Sequence, residues 1–157
     1  MARMSVKAGD EYLEKLAQLS TNIRQVAERA VYEAAGIVAD QIRKNLTDNL
    51  KSDRSAAKRD GAGKKKEGQK SSGDLLGSLG IAPIQLDKDG FIGTKIGFDG
   101  YDRRGVPNPL KARVMESGSS KIAPRPFVRP AVKATKKAAE EAMGRVIDEE
   151  IEKLMKG

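Results

Sequence analysis

Apolar residues recur at steps of three and four along the N-terminal third of the chain. They are Leu13, Leu16, Leu19, Ile23, Val26, Ala30, Ala34, Ile37, Val38, Ile42 and Leu46. This spacing places them on one side of an α-helix. Ser20, Thr21 and Asn22 form a run of residues that favour helix N-caps. The pattern therefore predicts a short helix to about Leu19 and a second helix from there to about Asn49.

The next segment, residues 51–73, contains no large apolar side chain and is rich in Gly, Ser, Lys and Asp. Because such a segment has little to bury, we expect a mobile loop, which inside a compact domain is usually functional or ordered by a partner. Eight basic residues oppose three acidic ones between Lys51 and Lys70. The basic residues expected to carry the function of this mobile loop are Lys58, Arg59, Lys64, Lys65, Lys66 and Lys70.

The hydrophobic period changes from helical to alternating between Leu79 and Phe98. In the first half the alternation shifts phase at Pro83, which predicts a strand with a bulge or an exposed edge at the proline. An Asp-Gly turn at 87–90 follows, and the alternation then resumes through Phe98. The segment therefore predicts an antiparallel β-hairpin.

The remainder of the chain predicts a loop and then a helix. Residues 99–111 contain Gly100, Gly105, Pro107 and Pro109 and predict a loop. A last helix ending near Lys156 is indicated by Ala131, Ala134, Ala138, Ala142, Val146, Ile147, Ile151, Leu154 and Met155. The whole predicts a single α+β domain over residues 1–157, with long N-terminal helices and a C-terminal helix packed on a small antiparallel β-sheet.

The sequence APRPFVRPA, residues 123–131, precedes this last helix. Its prolines are spaced by two and four residues and do not match the i, i+3 spacing of a proline-rich ligand. Proline instead favours an extended segment that leads into the helix, with Pro130 as the first helical residue. We expect Phe127 to anchor this segment on the sheet or on the first long helix. Arg125 and Arg129 are expected to pair with carboxylates, including those of a neighbouring subunit.

Composition narrows the classes of function. The absence of cysteine and histidine excludes disulfides and thiolate metal sites and removes the commonest general base. We therefore expect no catalytic residues, metal or cofactor, and a protein that is not an enzyme. Only six aromatic residues and no tryptophan are present, so a partner subunit is expected to complete the burial. The N-terminal residues lack the apolar segment of a signal peptide, which favours synthesis in the cytosol.

The formal net charge of +8 raises nucleic-acid binding as a possibility. The lysines of the 51–73 segment are able to neutralise DNA phosphates without reading sequence. Alternatively, they form a solvated loop that aids solubility or docks on an acidic protein surface. The second interpretation is favoured because no aromatic residue interleaves with the lysines for base stacking.

Three motifs, in this order, resemble those of a known family: GDLLGSL at 73–79, ESGS at 116–119 and RPFVRPA at 125–131. With the helical N-terminal region and the hairpin, they are similar to the head–tail joining, or tail-completion, proteins of long-tailed phages and prophages. The family pattern is a small-Gly-x-Leu-x-x-Ser stretch, a Glu-x-Gly-Thr turn and an Arg-Pro-Phe-x-x-Pro-Ala segment. This chain departs from it at Lys111, Ser117 and Ser119.

The resemblance implies a structural role in the virion, after assembly in the host cytoplasm. Such proteins form a ring, commonly of six subunits, that joins the tail tube to the head connector, with DNA passing through the centre. The residues expected to form a subunit or partner interface are Glu116, Gly118, Arg125, Pro126, Phe127, Arg129 and Pro130. The alternative is a small basic, nucleoid-like DNA-binding protein that uses the Lys-rich segment.

Overall fold

The computed structural model describes residues 10–59 and 73–156 and has the predicted α+β class. The elements are α1 (Asp10–Arg59), α2 (Asp74–Gly77), β1 (Leu79–Ile81), β2 (Gln85–Leu86), β3 (Ile92–Gly93), β4 (Ile96–Phe98), α3 (Asn108–Ser117) and α4 (Val128–Lys156). The long helices α1 and α4 lie side by side, and the hairpin, α2 and α3 gather at one end of this helix pair.

The N-terminal region is one helix of 50 residues, so the prediction of two helices was wrong. The run Ser20 to Asn22 lies inside α1. Residues of this type lower helix stability by only a few tenths of a kcal/mol each relative to alanine. Because neither glycine nor proline interrupts the apolar repeat there, nothing stops the helix.

The helix also continues past the predicted start of the Lys-rich loop, and ends at Arg59. Residues 51–59 are therefore helical, which corrects the prediction that the loop begins at residue 51. Ala56 and Ala57 are strong helix formers, and the first glycine of the segment is Gly61. The prediction of a mobile segment at 60–72 lies outside the described residues.

The hairpin is present, and it is interrupted where the sequence predicts. β1 pairs with β4 and β2 with β3, both antiparallel. Between the two ladders, the Thr94 hydroxyl donates a hydrogen bond of 2.6 Å to the carbonyl oxygen of Ala82, next to Pro83. Leu75 and Leu79 are buried where the chain re-enters the fold after Gly73.

The prediction that the loop extends from residue 99 to residue 111 was wrong at its end, because α3 begins at Asn108. Proline is tolerated in the first turn of a helix, where an amide N–H has no intrahelical partner, so Pro109 does not prevent this start. For the same reason Pro130 lies within the first turn of α4, which begins at Val128 rather than at Pro130.

The antiparallel seam between α1 and α4 is built from small side chains. Arg29 Nη1 donates to Glu150 Oε1 at 2.6 Å near one end, and Asn45 Nδ2 donates to the Phe127 carbonyl oxygen at 3.1 Å near the other. The buried positions of the seam are Ala30, Ala34, Ala35, Ala39, Ala131, Thr135, Ala139, Ala142 and Val146. Alanine allows close approach of two helices but buries little apolar area for each residue.

The two long helices are unequal in length beyond this seam. Residues 10–28 of α1 precede the Arg29–Glu150 pair, whereas only residues 151–156 of α4 follow it. At 1.5 Å per residue, α1 extends about 20 Å past the end of α4. Ile23, which lies opposite the end of α4 where this extension begins, is 60% exposed.

The larger apolar side chains collect at the opposite end, under the hairpin. The cluster consists of Ile42, Leu46, Leu75, Leu79, Ala112, Phe127 and Ala131. Phe127 and Leu46 are its largest fully buried members. The core therefore forms where α1, the hairpin, α3 and the start of α4 meet.

Candidate functional site

All seven residues predicted as an interface lie between the last turn of α3 and the first turn of α4, in a segment named here the α3–α4 junction (residues 116–130). The two motifs that the sequence analysis singled out, at 116–119 and 125–131, form its two halves. The structure brings these halves into direct contact.

Glu116 caps the N-terminus of α4. Its Oε2 accepts the backbone N–H groups of Phe127 at 2.7 Å and Val128 at 2.9 Å, and its Oε1 accepts that of Arg129 at 3.0 Å. The first N–H groups of a helix have no intrahelical acceptor, and they attract negative charge. Burial raises the pKa of Glu116, but these hydrogen bonds and the Arg129 charge outweigh it, so the pKa lies below its ordinary value.

Gly118 ends α3 in a conformation that only glycine adopts easily. Its φ is +77°, and a Cβ built there would lie 2.9 Å from both the Ile122 carbonyl oxygen and the Pro124 nitrogen. Both the backbone angle and the close approach of residues 122–124 therefore require glycine. This turn directs the chain back toward Glu116.

Two asparagines of α1 hold the second half of the junction. Asn45 and Asn49 donate side-chain N–H groups to the carbonyl oxygens of Phe127 and Arg125, at 3.1 and 3.3 Å. Arg125 also donates its backbone N–H to the Met115 carbonyl oxygen at 2.7 Å. Sequence reasoning missed the asparagines; their only signal was two polar residues one turn apart beside the apolar stripe of α1.

Phe127 anchors the junction in the core, as the sequence analysis predicted. Its side chain is fully buried, and its ring packs edge-on against Phe98 of β4 with 5.8 Å between centroids. Leu46 of α1 belongs to the same cluster. Phe127 thus contacts both the hairpin and the first long helix, which the sequence offered as alternatives.

The other residues of the predicted interface lie nearer the surface. Pro126, Arg129 and Pro130 are exposed, and Arg125 is half-buried. Arg129 Nε lies 3.9 Å from Glu116 Oε1, so the predicted pairing of Arg129 with a carboxylate occurs within the chain. The junction therefore combines internal anchors with an exposed Pro-Arg-Pro surface.

The predicted basic residues are not part of this junction. Lys58 and Arg59 lie in the last turn of α1. Lys64, Lys65, Lys66 and Lys70 lie outside the described residues.

A second polar cluster, which sequence reasoning missed, organises the loop before α3. Asp102 Oδ1 accepts the N–H groups of Arg104 and Val106, both at 2.8 Å, and Oδ2 pairs with the Lys111 ammonium. These hydrogen bonds lower the pKa of Asp102 to about 2. Lys111, a departure from the family pattern, therefore has its own structural role here. Aspartate is a common turn former, so Asp102, two residues before Arg104, was the signal in the sequence that could have revealed this cluster.

Within the described ranges, no group of three or more acidic side chains is placed to hold a metal ion. None of the described helices is long and apolar enough to cross a membrane. The polar atoms of the junction bind backbone groups, and this arrangement serves to fix the chain direction and to present Pro126, Arg129 and Pro130.

Glu116→Gln is expected to lower the free energy of unfolding by about 1–2 kcal/mol at neutral pH, because it weakens a charged helix cap. Since the folded-state pKa lies below 4.5, the stabilisation is present above that pH and is lost as the pH falls through the folded value. Urea unfolding at about pH 7 and about pH 3 measures the difference between the variant and the wild type, which should shrink at the lower pH.

Glu140→Gln is the matched control, because Glu140 is an exposed glutamate of α4. It should change the stability by less than about 0.5 kcal/mol at either pH. A Glu116→Gln effect as small as the control would contradict the role of Glu116 as the helix cap.

Phe127→Ala is expected to cost about 3–5 kcal/mol in unfolding free energy, because it removes the largest buried ring of the core. Phe91→Ala makes the same change at a residue that is 72% exposed, and it should cost less than about 0.5 kcal/mol. Denaturant unfolding of both variants checks this. Equal stability of the two would mean that Phe127 is not an anchor of the fold.

At a significant level, the chain matches no known family model, no curated protein and no solved structure.

Proposed function

We propose that this protein is a structural component of a tailed phage neck, where it forms a ring, commonly of six subunits, that joins the tail tube to the head connector. The observation that carries the proposal is the contact between the two most specific motifs of the resemblance. Glu116 of the ESGS motif caps the helix that the RPFVRPA motif begins. The shared motifs thus form one unit with a physical task.

The junction is suited to docking because its exposed part is rigidly held. Pro126, Arg129 and Pro130 lie at the surface, while Phe127 between them is fully buried. Proline and the buried ring limit the motion of this surface before binding, so less conformational entropy is lost when a partner docks. An exposed arginine is also common among residues that dominate protein interfaces.

The shape of the helix pair also supports assembly with other subunits. α1 extends past the end of α4, and Ile23, where this extension begins, is 60% exposed. A helix that leaves the body of its own subunit gains stability by packing on another subunit, because isolated helices are marginal in water. The seam of small residues and the small number of large core residues also favour burial against another subunit.

Removing the gene from a phage that carries it is expected to give full heads and tails that fail to join, with unjoined or overlong tails. Electron microscopy of lysates distinguishes these products. Normal virions in the absence of the protein would refute the neck proposal.

Complementation with variants tests the junction itself. Arg129→Ala removes an exposed cation at the docking surface, and it should reduce the yield of joined particles at least tenfold. Glu116 keeps its three backbone hydrogen bonds in this variant, so the purified subunit should still fold. Lys88→Ala removes an exposed cation on the hairpin turn and serves as the control. Equal yields from the two variants would show that the junction surface is not a partner contact.

A second candidate function, DNA binding, is favoured by the distribution of basic residues. Four of them, Arg129, Lys133, Lys136 and Lys137, lie within residues 128–139 of α4, which contain no acidic residue. Asn45 and Asn49 contact this end of the helix pair from α1, which then continues into the Lys-rich segment. The basic groups of α4 therefore concentrate at the end of the helix that lies near Asn45 and Asn49.

If DNA is bound by phosphate contacts alone, affinity for duplexes of unrelated sequence is equal and falls steeply between about 50 and 200 mM salt. Fluorescence anisotropy with two labelled duplexes measures this. The absence of binding at the lower salt concentration would exclude the DNA-binding function and leave the neck proposal unaffected.

A further inference from the structure

The face of α4 that points away from α1 carries a regular stripe of exposed or half-buried positions, named here the outer stripe. It comprises Lys133, Lys137, Glu140, Gly144, Ile147 and Ile151, which follow one another at steps of four and three. The seam residues Ala131, Thr135, Ala139, Ala142 and Val146 occupy the opposite side and are buried. Steps that alternate between three and four are the spacing by which two long helices pack along each other.

Charge is divided unequally along this helix. Residues 128–139 contain four basic side chains and no acidic one, whereas residues 140–156 contain six acidic and three basic ones. At the boundary between them, Lys136 and Lys137 pair with Glu140 and Glu141 one turn further along the helix. Residues 128–139, named here the basic half, still carry a net positive charge, and residues 140–156, the acidic half, carry a net negative charge.

The acidic half also exposes apolar side chains. Ile147 and Ile151 are 41% and 40% exposed, and Met155, one turn further, is 54% exposed. The outer face of α4 thus combines apolar positions with opposite charges at its two ends.

Gly144, near the middle of the outer stripe, is half-buried, and no contact within the subunit requires a glycine there. A Cβ built at this position meets nothing within 4 Å. Glycine inside a helix is less stable than alanine by roughly 0.5–1 kcal/mol, so the fold of the subunit alone would favour alanine. A glycine on an exposed helix face suits close approach by another backbone or by a long side chain.

We propose that the outer stripe pairs with the same stripe of a second copy of this chain, with the two α4 helices antiparallel and crossing near Gly144. In this register Lys133 faces Ile151, Lys137 faces Ile147 and Glu140 faces Gly144 of the second copy. The lysine stems cover the isoleucines, and their ammonium groups reach Asp148 and Glu152 beside them.

Charge complementarity favours a second copy of this chain as the partner and favours the antiparallel direction of its α4. An antiparallel copy places the basic half of each helix against the acidic half of the other, so the favourable contact occurs twice in one two-fold pair. A parallel copy would place lysine on lysine and glutamate on glutamate. The inference concerns the free protein, so it does not rest on the proposed neck function.

Sedimentation equilibrium of the full chain over a wide range of concentration is the first test, and it should show a mass that doubles as concentration rises. Ile147→Asp with Ile151→Asp should weaken the pair at least tenfold. Both positions are exposed, so circular dichroism should still report a folded helical subunit. A monomer at every concentration, or a pair that this double variant leaves intact, would overturn the proposal.

A matched pair of glycine variants separates association from stability. Gly36 lies inside α1, where an added Cβ also meets nothing within 4 Å. Each Gly→Ala change should raise the melting temperature of the dilute, monomeric protein by about 2–4 °C. Only Gly144→Ala should also weaken the pair several-fold. Equal dissociation constants for the two variants would contradict the crossing near Gly144.

Charge exchange tests the antiparallel direction. Lys133→Glu alone and Glu152→Lys alone should each weaken the pair, and the double variant should restore it. No recovery in the double variant would overturn the antiparallel arrangement. If the basic half instead binds the phosphate backbone of DNA, Lys133→Glu would weaken binding of a labelled duplex without changing the mass of the protein. That outcome would also contradict pairing.

Discussion

The hydrogen bonds from three consecutive backbone N–H groups to the Glu116 carboxylate determine where α4 begins and how α3 is joined to α4. The residue before α4 is Phe127, whose side chain cannot accept a hydrogen bond. The cap therefore comes from a residue of the preceding helix. Because one carboxylate joins the last turn of α3 to the first turn of α4, the positions of both helices depend on it.

Other features of the junction follow from this constraint. Gly118 reverses the chain closely enough for Glu116 to reach the amides, and a side chain at that position would collide with residues 122–124. Asn45 and Asn49 satisfy carbonyl groups that the extended segment leaves unpaired within itself. With its backbone held from both sides, the segment places Phe127 into the core, where its ring contacts Phe98.

The two ends of the helix pair differ in how they are stabilised. Near the junction, large side chains such as Leu46 and Phe127 form a packed cluster with the hairpin. Toward the other end the seam consists mainly of alanine, and larger apolar residues such as Ile23, Ile147 and Ile151 are exposed on the outside. Exposed apolar side chains are not confined to that end, because Leu86, Phe91 and Tyr101 are exposed on the hairpin and just after it. Both ends of the subunit therefore offer surface to other molecules. The neck proposal uses the junction surface, and the pairing proposal uses the outer stripe of α4.

The sequence by itself determined the α+β class, the hairpin with its interruption at Pro83 and the anchoring role of Phe127, because each depends on local periodicity or on proline geometry. It did not determine that α1 is continuous, since capping residues end a helix only when the surrounding structure offers the backbone another partner. The start of α3 at Asn108 was likewise hidden by prolines that suit both a loop and a first helical turn. The partners of Glu116 lie 11 to 13 residues away, and Asn45 lies 82 residues from Phe127. Such contacts have no periodic signal, so only the tertiary structure decided that the two motifs form one capped and anchored junction.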